Sequence, residues 1–334
     1  MSTINWLFEI NFAIFSVFLV LFVTELMGGV LLLVAYDATK SKVLPYIVPI
    51  WEVTGTFAAF WVVTADFAYP QMLWPVATML AAPILVFLIL IIARNSSITF
   101  AELIFRRGRL NERRLYRLYG LATVGIGLVV LIILSAIVSG AGVTLGANPT
   151  FSPWGWVTSG GSLLYVVGVL FIAVGLAPVF YNIEPLRRLS VPLTTLGVVI
   201  EAGALYLYSS SLLTGYFLVP AVLTVAAALL YAVRSTAPIA SQKVVFATLG
   251  AIIIFAQSYL VYPTAFATAA HGPLSVDAVT TSGPMVGAFY VLSAVGLVVV
   301  GLLMVLYMLA VRRGTTVPPG PPAPVPPVPA AHSP

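Results

Sequence analysis

The chain has 334 residues, 61% of them hydrophobic and 7% charged, with a net charge of +5. A soluble domain carries about a quarter charged residues, so no water-soluble packing hides this much apolar surface and the bilayer has to be the solvent. The absence of cysteine excludes disulfides, iron–sulfur ligation and thiolate metal sites.

From the N-terminus, nine apolar stretches are long enough to cross about 30 Å of hydrocarbon at ~1.5 Å per residue. They are 10–36, 45–69, 71–93, 116–142, 161–183, 189–210, 213–233, 244–262 and 284–311. Pro45, Pro70, Pro185, Pro263 and Pro284 mark several of their ends. The first run is too long for a signal-peptide core and has no basic residue before it, so it reads as a true span.

The basic residues give the direction. Lys40 and Lys42 follow the first span; Arg94, Arg106, Arg107, Arg109, Arg113, Arg114 and Arg117 follow the third; Arg187 and Arg188 follow the fifth. Arg234 and Lys243 lie between the seventh and eighth, and Arg312 and Arg313 follow the ninth. All 15 Lys and Arg therefore fall on one side, and the opposite loops 143–160 and 263–283 contain none. Basic loops stay cytoplasmic, which puts the N-terminus outside and the C-terminus in the cytoplasm of a multi-pass plasma-membrane protein. The same placement explains the net charge as topology and lipid anchoring, with no nucleic-acid partner.

The expected fold is all-α and polytopic: two four-helix membrane units, 1–142 and 143–262, then an outer loop and ninth helix over 263–313. The run "FRRGRLNERRLYR" (105–117) reads as an amphipathic cytoplasmic connector. The tail 314–334 holds nine of the 24 prolines and is expected to be a disordered, Pro-rich cytoplasmic extension. The glycines of "MGGV" (27–30) and "VGIGL" (124–128) read as close helix contacts.

Glu25, Glu52, Asp66 and Glu201 fall inside spans. An ionised carboxylate at the bilayer centre costs about 3 kcal/mol on insertion scales, so such groups are neutral, paired or wet, and usually functional. Glu25 and Glu52 sit in the cytoplasmic halves of consecutive spans and are expected to approach one another. Asp66 is 14 residues beyond Glu52, rotated about 40° and raised about 21 Å; Thr56 is one turn from Glu52. One face of the second span thus carries an acid near each end with a hydroxyl between, a pattern suited to a proton path. Glu201 is a further candidate for it, with Tyr206 and Tyr208 nearby. Hydrogen-bonded helix contacts are the plainer reading of the same acids.

No span contains a histidine; His271 falls in an outer loop and His332 in the tail. Haem in membranes is held by His or Met, and Met27 and Met72 read as packing. The chain is expected to bind no haem and no metal by itself, and it carries no phosphate loop or nucleophile triad.

These features together resemble subunit II of cytochrome bd-type quinol oxidases. The family's first span has a pattern of the type T-D-G-F-D-x-G-x-G; here it is "VTELMGGVLL", with Glu25 at the first acid and no second acid. The second span opens as P-x-W-D-G-N-Q-x-W; here it is "PIWEVTGTFAAFW", with Trp51 and Glu52 at the Trp-acid pair and no Gly-Asn-Gln. "VTADFAYPQMLWPVA" and "FAELIFRR" resemble the stretches around the third span. The resemblance is strongest over 15–107, and it marks a divergent member. It implies a haem-free accessory subunit that packs on a haem-binding membrane subunit I. That partner would carry haem b or d and oxidise quinol. Glu52 would open a cytoplasmic proton path, with Glu25 its neighbour.

Two other readings stay open on the sequence. One is a quinone-binding membrane anchor of the polysulfide-reductase type, docking a soluble subunit through Trp154 and Trp156. The other is a proton-coupled secondary transporter using Glu25, Glu52 or Glu201.

Overall fold

The computed structural model describes residues 5–104, 111–146, 148–233, 243–260, 262, 264–265 and 274–312. The Pro-rich tail 314–334, the start of the 105–117 connector and both histidines lie outside the described residues.

The order is α1 (Trp6–Val34), α2 (Tyr36–Ala68), α3 (Pro70–Met79), α4 (Ala81–Thr99) with a π-turn over Phe100–Ile104, and α5 (Glu112–Ser139). A two-stranded ribbon, β1 (Val143–Thr144) with β2 (Thr150–Phe151), leads to α6 (Pro153–Thr158), α7 (Gly161–Tyr181), α8 (Arg187–Tyr208) and α9 (Gly215–Val233). After α10 (Lys243–Gln257), a second ribbon pairs β3 (Thr264–Ala265) with β4 (Leu274–Ser275), followed by α11 (Val276–Val279) and α12 (Pro284–Arg312). Among the described residues, nine helical segments are long and apolar enough to cross a membrane, as the sequence predicts.

Two boundaries differ from the sequence reading. The second helix begins at Tyr36, not 45, with only Ala35 separating it from α1, and Pro45 and Pro49 lie inside it. The third span is 81–102. The stretch Pro70–Met79 forms its own short helix, with Pro70 in its first turn. The break at Leu80 follows from Pro83, which has no N–H to give the carbonyl of Met79. The shift carries Arg94 from an expected loop position into a helix, where it is buried.

α1 is the hub. It packs against α2, α5, α7 and α10, and most of its residues are buried. Glycine sets how closely its neighbours approach. A Cβ on Gly120 of α5 would sit 2.7 Å from the Gly29 carbonyl, and one on Gly28 would sit 2.6 Å from the Tyr181 hydroxyl. Gly127 meets Leu26 in the same manner. Small residues give close backbone contact in lipid, where apolar burial no longer drives association, and both glycine stretches singled out in the sequence serve this purpose. Beyond α1 the tightest pair is α7 with α8.

Among the described residues, the basic side chains lie near the N-terminal ends of α2, α5, α8 and α10, in the C-terminal part of α4 and at the C-terminal end of α12. The exposed tryptophans Trp6, Trp74 and Trp154 occupy the other termini, as expected of a membrane-interface belt. Because the chain lacks cysteine, sidedness has a clean test. Cysteines introduced singly at Asn148 and Ser41, both exposed, are expected to react with an impermeant maleimide from the outer and cytoplasmic faces of sealed vesicles respectively. Labelling of both from one face would contradict the topology.

Candidate functional site

Glu25 is completely buried in the C-terminal half of α1. Three donors converge on its Oε1: Nε of Arg94 at 2.7 Å, Nη2 of Arg94, and the hydroxyl of Tyr119. Arg94 comes from the C-terminal end of α4 and Tyr119 from the N-terminal part of α5, beside the Gly29–Gly120 crossing that brings the helices together. The guanidinium also donates from Nη1 to Oδ1 of Asn95 at 3.0 Å, and its Nη2 lies 3.5 Å from the Trp51 carbonyl of α2. Its Cζ lies 5.9 Å from the Tyr119 ring centroid. Oε2 of Glu25 is buried and unpartnered. An ion pair removed from water survives only with good geometry and extra hydrogen bonds, and this one has both on one oxygen and a vacant acceptor on the other.

Above it, Thr24 joins three helices. Its Oγ1 donates to the Leu21 carbonyl and lies 2.9 Å from the Tyr46 hydroxyl, while its carbonyl accepts from Tyr181 at 2.8 Å. Toward the N-terminal end of α1, Asn11 donates to Oγ1 of Thr64 and accepts from the Trp61 indole.

The other acids of the second helix lie elsewhere. Glu52, Gly55, Thr56, Ala59, Val62, Val63 and Asp66 form one exposed stripe along the outward face of α2. Glu52 and Asp66 therefore share a face, as the helical spacing predicts. Glu52 has no hydrogen bond to Glu25; Arg94 reaches the backbone of Trp51 instead. Trp51 is half-buried against the core around α1. The Thr56 hydroxyl donates to the Glu52 carbonyl at 3.0 Å, so it is held by the helix's own backbone. Glu201 is buried at the α7–α8 contact, away from both groups. The expected Trp154–Trp156 docking face is reduced, because Trp156 is buried with its indole donating to Ser135 at 2.7 Å.

No family model matches this chain, and no curated protein does. A solved structure does, that of the bd oxidase from Geobacillus thermodenitrificans. The match has a TM-score of 0.65 at 16% identity and covers 90% of this chain and 96% of that one. The fold is bd-oxidase-like.

The two methionines weighed as haem ligands in the sequence sit among apolar and aromatic side chains. Met27 is wedged in the core around α1 and Met72 in the cluster around Tyr69.

Arg94 and Tyr119 are the two residues of the site that the sequence reading missed. The signal for Arg94 is physical: a fully buried acid in α1 demands a cation at its depth. Arg94 follows directly on an apolar run, "ILIIAR". Removing one partner of a buried pair costs about 3–5 kcal/mol, whereas replacing both by apolar groups is often nearly neutral. Arg94→Leu is therefore expected to lower the unfolding midpoint in detergent strongly, and the Glu25→Leu Arg94→Leu double variant to recover most of the loss. Equal losses in the single and double variants would contradict the pairing.

Proposed function

We propose that the chain is a haem-free accessory subunit of a quinol-oxidising, oxygen-reducing terminal oxidase of the cytochrome bd type in the plasma membrane. It docks on a haem-bearing subunit I through the outward face of α2 and delivers cytoplasmic protons to it. The observation that carries the reading is the exposed stripe from Glu52 to Asp66 on a bd-oxidase-like fold. Glu52 stands about 22 Å along α2 from Asp37, deep in the apolar part of the helix. A carboxylate facing hydrocarbon there is unfavourable by about 3 kcal/mol, so the stripe calls for a protein cover. Its small residues suit one. Gly55 has no neighbour within 4 Å of a Cβ position, and Gly55 with Ala59 makes a small-xxx-small pair of the kind that lets a second helix approach closely.

In this reading Glu52 is the entrance of the path at the subunit boundary, with Thr56 and Asp66 further along the same face. Glu25 contributes through Oε2, the oxygen that Arg94 and Tyr119 leave vacant. Oxygen reduction to water consumes protons, and drawing them from the cytoplasm makes the reaction charge the membrane. Arg94 holds Glu25 in place and sets the charge balance around it.

Gentle detergent extraction is expected to yield the chain with a second membrane subunit and a b/d haem spectrum. A soluble molybdenum or iron–sulfur partner would favour the anchor reading, and a colourless single chain the transporter. Within the complex, Glu52→Gln is expected to slow quinol oxidation and proton uptake by about tenfold or more, since a positioned proton-transfer group contributes ~10²–10⁴-fold, while leaving assembly intact. Unchanged turnover in an assembled complex would remove Glu52 from the path.

A further inference from the structure

The α7–α8 pair holds a second buried acid that the path above does not use. Glu201 is 8% exposed. Among the described residues nothing hydrogen-bonds to its carboxyl and no cation pairs with it. It stands where the two helices come closest: a Cβ on Gly168 would lie 2.7 Å from the Glu201 amide nitrogen and 2.9 Å from the Gly197 carbonyl. The titratable groups around it are Tyr165 of α7, within electrostatic reach of Glu201 and of Tyr208, and Tyr208 itself, seven residues or about 10.5 Å further along α8.

From Tyr208 a chain of hydroxyls leads to the surface. Its OH donates to Oγ of Ser162 at 3.2 Å, with Ser139 also in hydrogen-bonding reach. Ser162 is fully buried and is paired with Ser159, which is exposed in the 140–160 segment. On the other side of Glu201 the polar face of α8 continues through Thr194 and Ser190, whose hydroxyls are buried and have no partner. Hydroxyls inside helices commonly bond back to the carbonyl four residues earlier, as Thr54 and Thr123 do; these two do not. The Gly168–Gly197 backbone contact lies between the two hydroxyl series.

We infer that Glu201 is a second proton-binding site of the molecule, reached from the 140–160 end through Ser159, Ser162, Tyr208 and Tyr165, and closed toward the opposite end by the Gly168–Gly197 contact. A carboxyl in hydrocarbon with no counter-charge holds its place most easily as the neutral acid, and the serines and tyrosines are groups that pass a proton between hydrogen-bonded oxygens. The inference stands on the α7–α8 geometry and is independent of the oxidase reading.

The test is labelling by a lipid-soluble carbodiimide in proteoliposomes, using the chain with whatever subunits accompany it. A protonated carboxyl adds across the reagent's C=N bond and the O-acylisourea rearranges to an N-acylurea, so the Glu201 peptide gains the whole reagent and nothing leaves. Mass spectrometry is expected to find this adduct on Glu201 and none on the ion-paired Glu25. The Glu201 labelling rate should fall by up to about tenfold per pH unit as pH rises on the side bearing residues 140–160, and stay constant when pH changes on the other. Tyr208→Phe should slow the response to a pH jump on the 140–160 side. An unlabelled Glu201, or labelling that follows the opposite side's pH, would overturn the site. An unchanged response in Tyr208→Phe would overturn the route. All readouts are independent of quinol turnover, so failure of this inference and failure of the oxidase reading are separable.

Discussion

The Glu25–Arg94 ion pair is the constraint around which the first helices are arranged. It ties α1 to α4 directly, to α5 through Tyr119, and to α2 through the Trp51 carbonyl. Four helices thus meet at one oxygen and one guanidinium in a region where water cannot compensate an unmet charge. The glycines at Gly29 and Gly120 exist to serve this meeting: with a Cβ at Gly120 the helices would be pushed apart, and Tyr119 would be carried away from Glu25. Polar pairing fixes which helices join, and small residues fix how closely.

The same physics separates the chain's intramembrane acids into three situations. Glu25 is paired and inside. Glu201 is inside, among hydroxyls, with no partner among the described residues. Glu52 and Asp66 are outside and have no side-chain partner among the described residues. Each situation carries a different demand: the first is met within the chain, and in the proposals above the second is met by a proton and the third by another polypeptide. The outward stripe of α2 is the part of the molecule that a bilayer alone leaves unsatisfied, and it lies on a fold shared with a chain of a known oxidase.

Much of this was legible in the sequence. Hydropathy gave the number of spans, because an apolar run long enough to cross lipid must satisfy its backbone as a helix. A period of 3.6 put Glu52 and Asp66 on one face. Which face looked inward was not legible, since Val62 and Val63 on the exposed stripe are as apolar as the buried Ile50 and Phe57; in a membrane protein the outside is also greasy, and hydrophobicity stops distinguishing the two. The third span was misplaced for a related reason: 71–93 is apolar apart from Gln71 and Thr78, and Pro83 marks where the helix restarts. That one shift hid Arg94, and with it the partner of Glu25. The expected meeting of Glu25 with Glu52 rested on shared depth, which says nothing about direction around the helix.

The central claim is that a second membrane polypeptide covers the Glu52–Asp66 stripe. Photo-crosslinking in native membranes from a diazirine residue at Ala59, midway along the stripe, tests it most directly. The account predicts a crosslink to a distinct, haem-bearing membrane subunit, with no such product from a control position on the lipid-facing side of α9 such as Val222. Crosslinks from Ala59 to lipid alone, matching those from Val222, would contradict it.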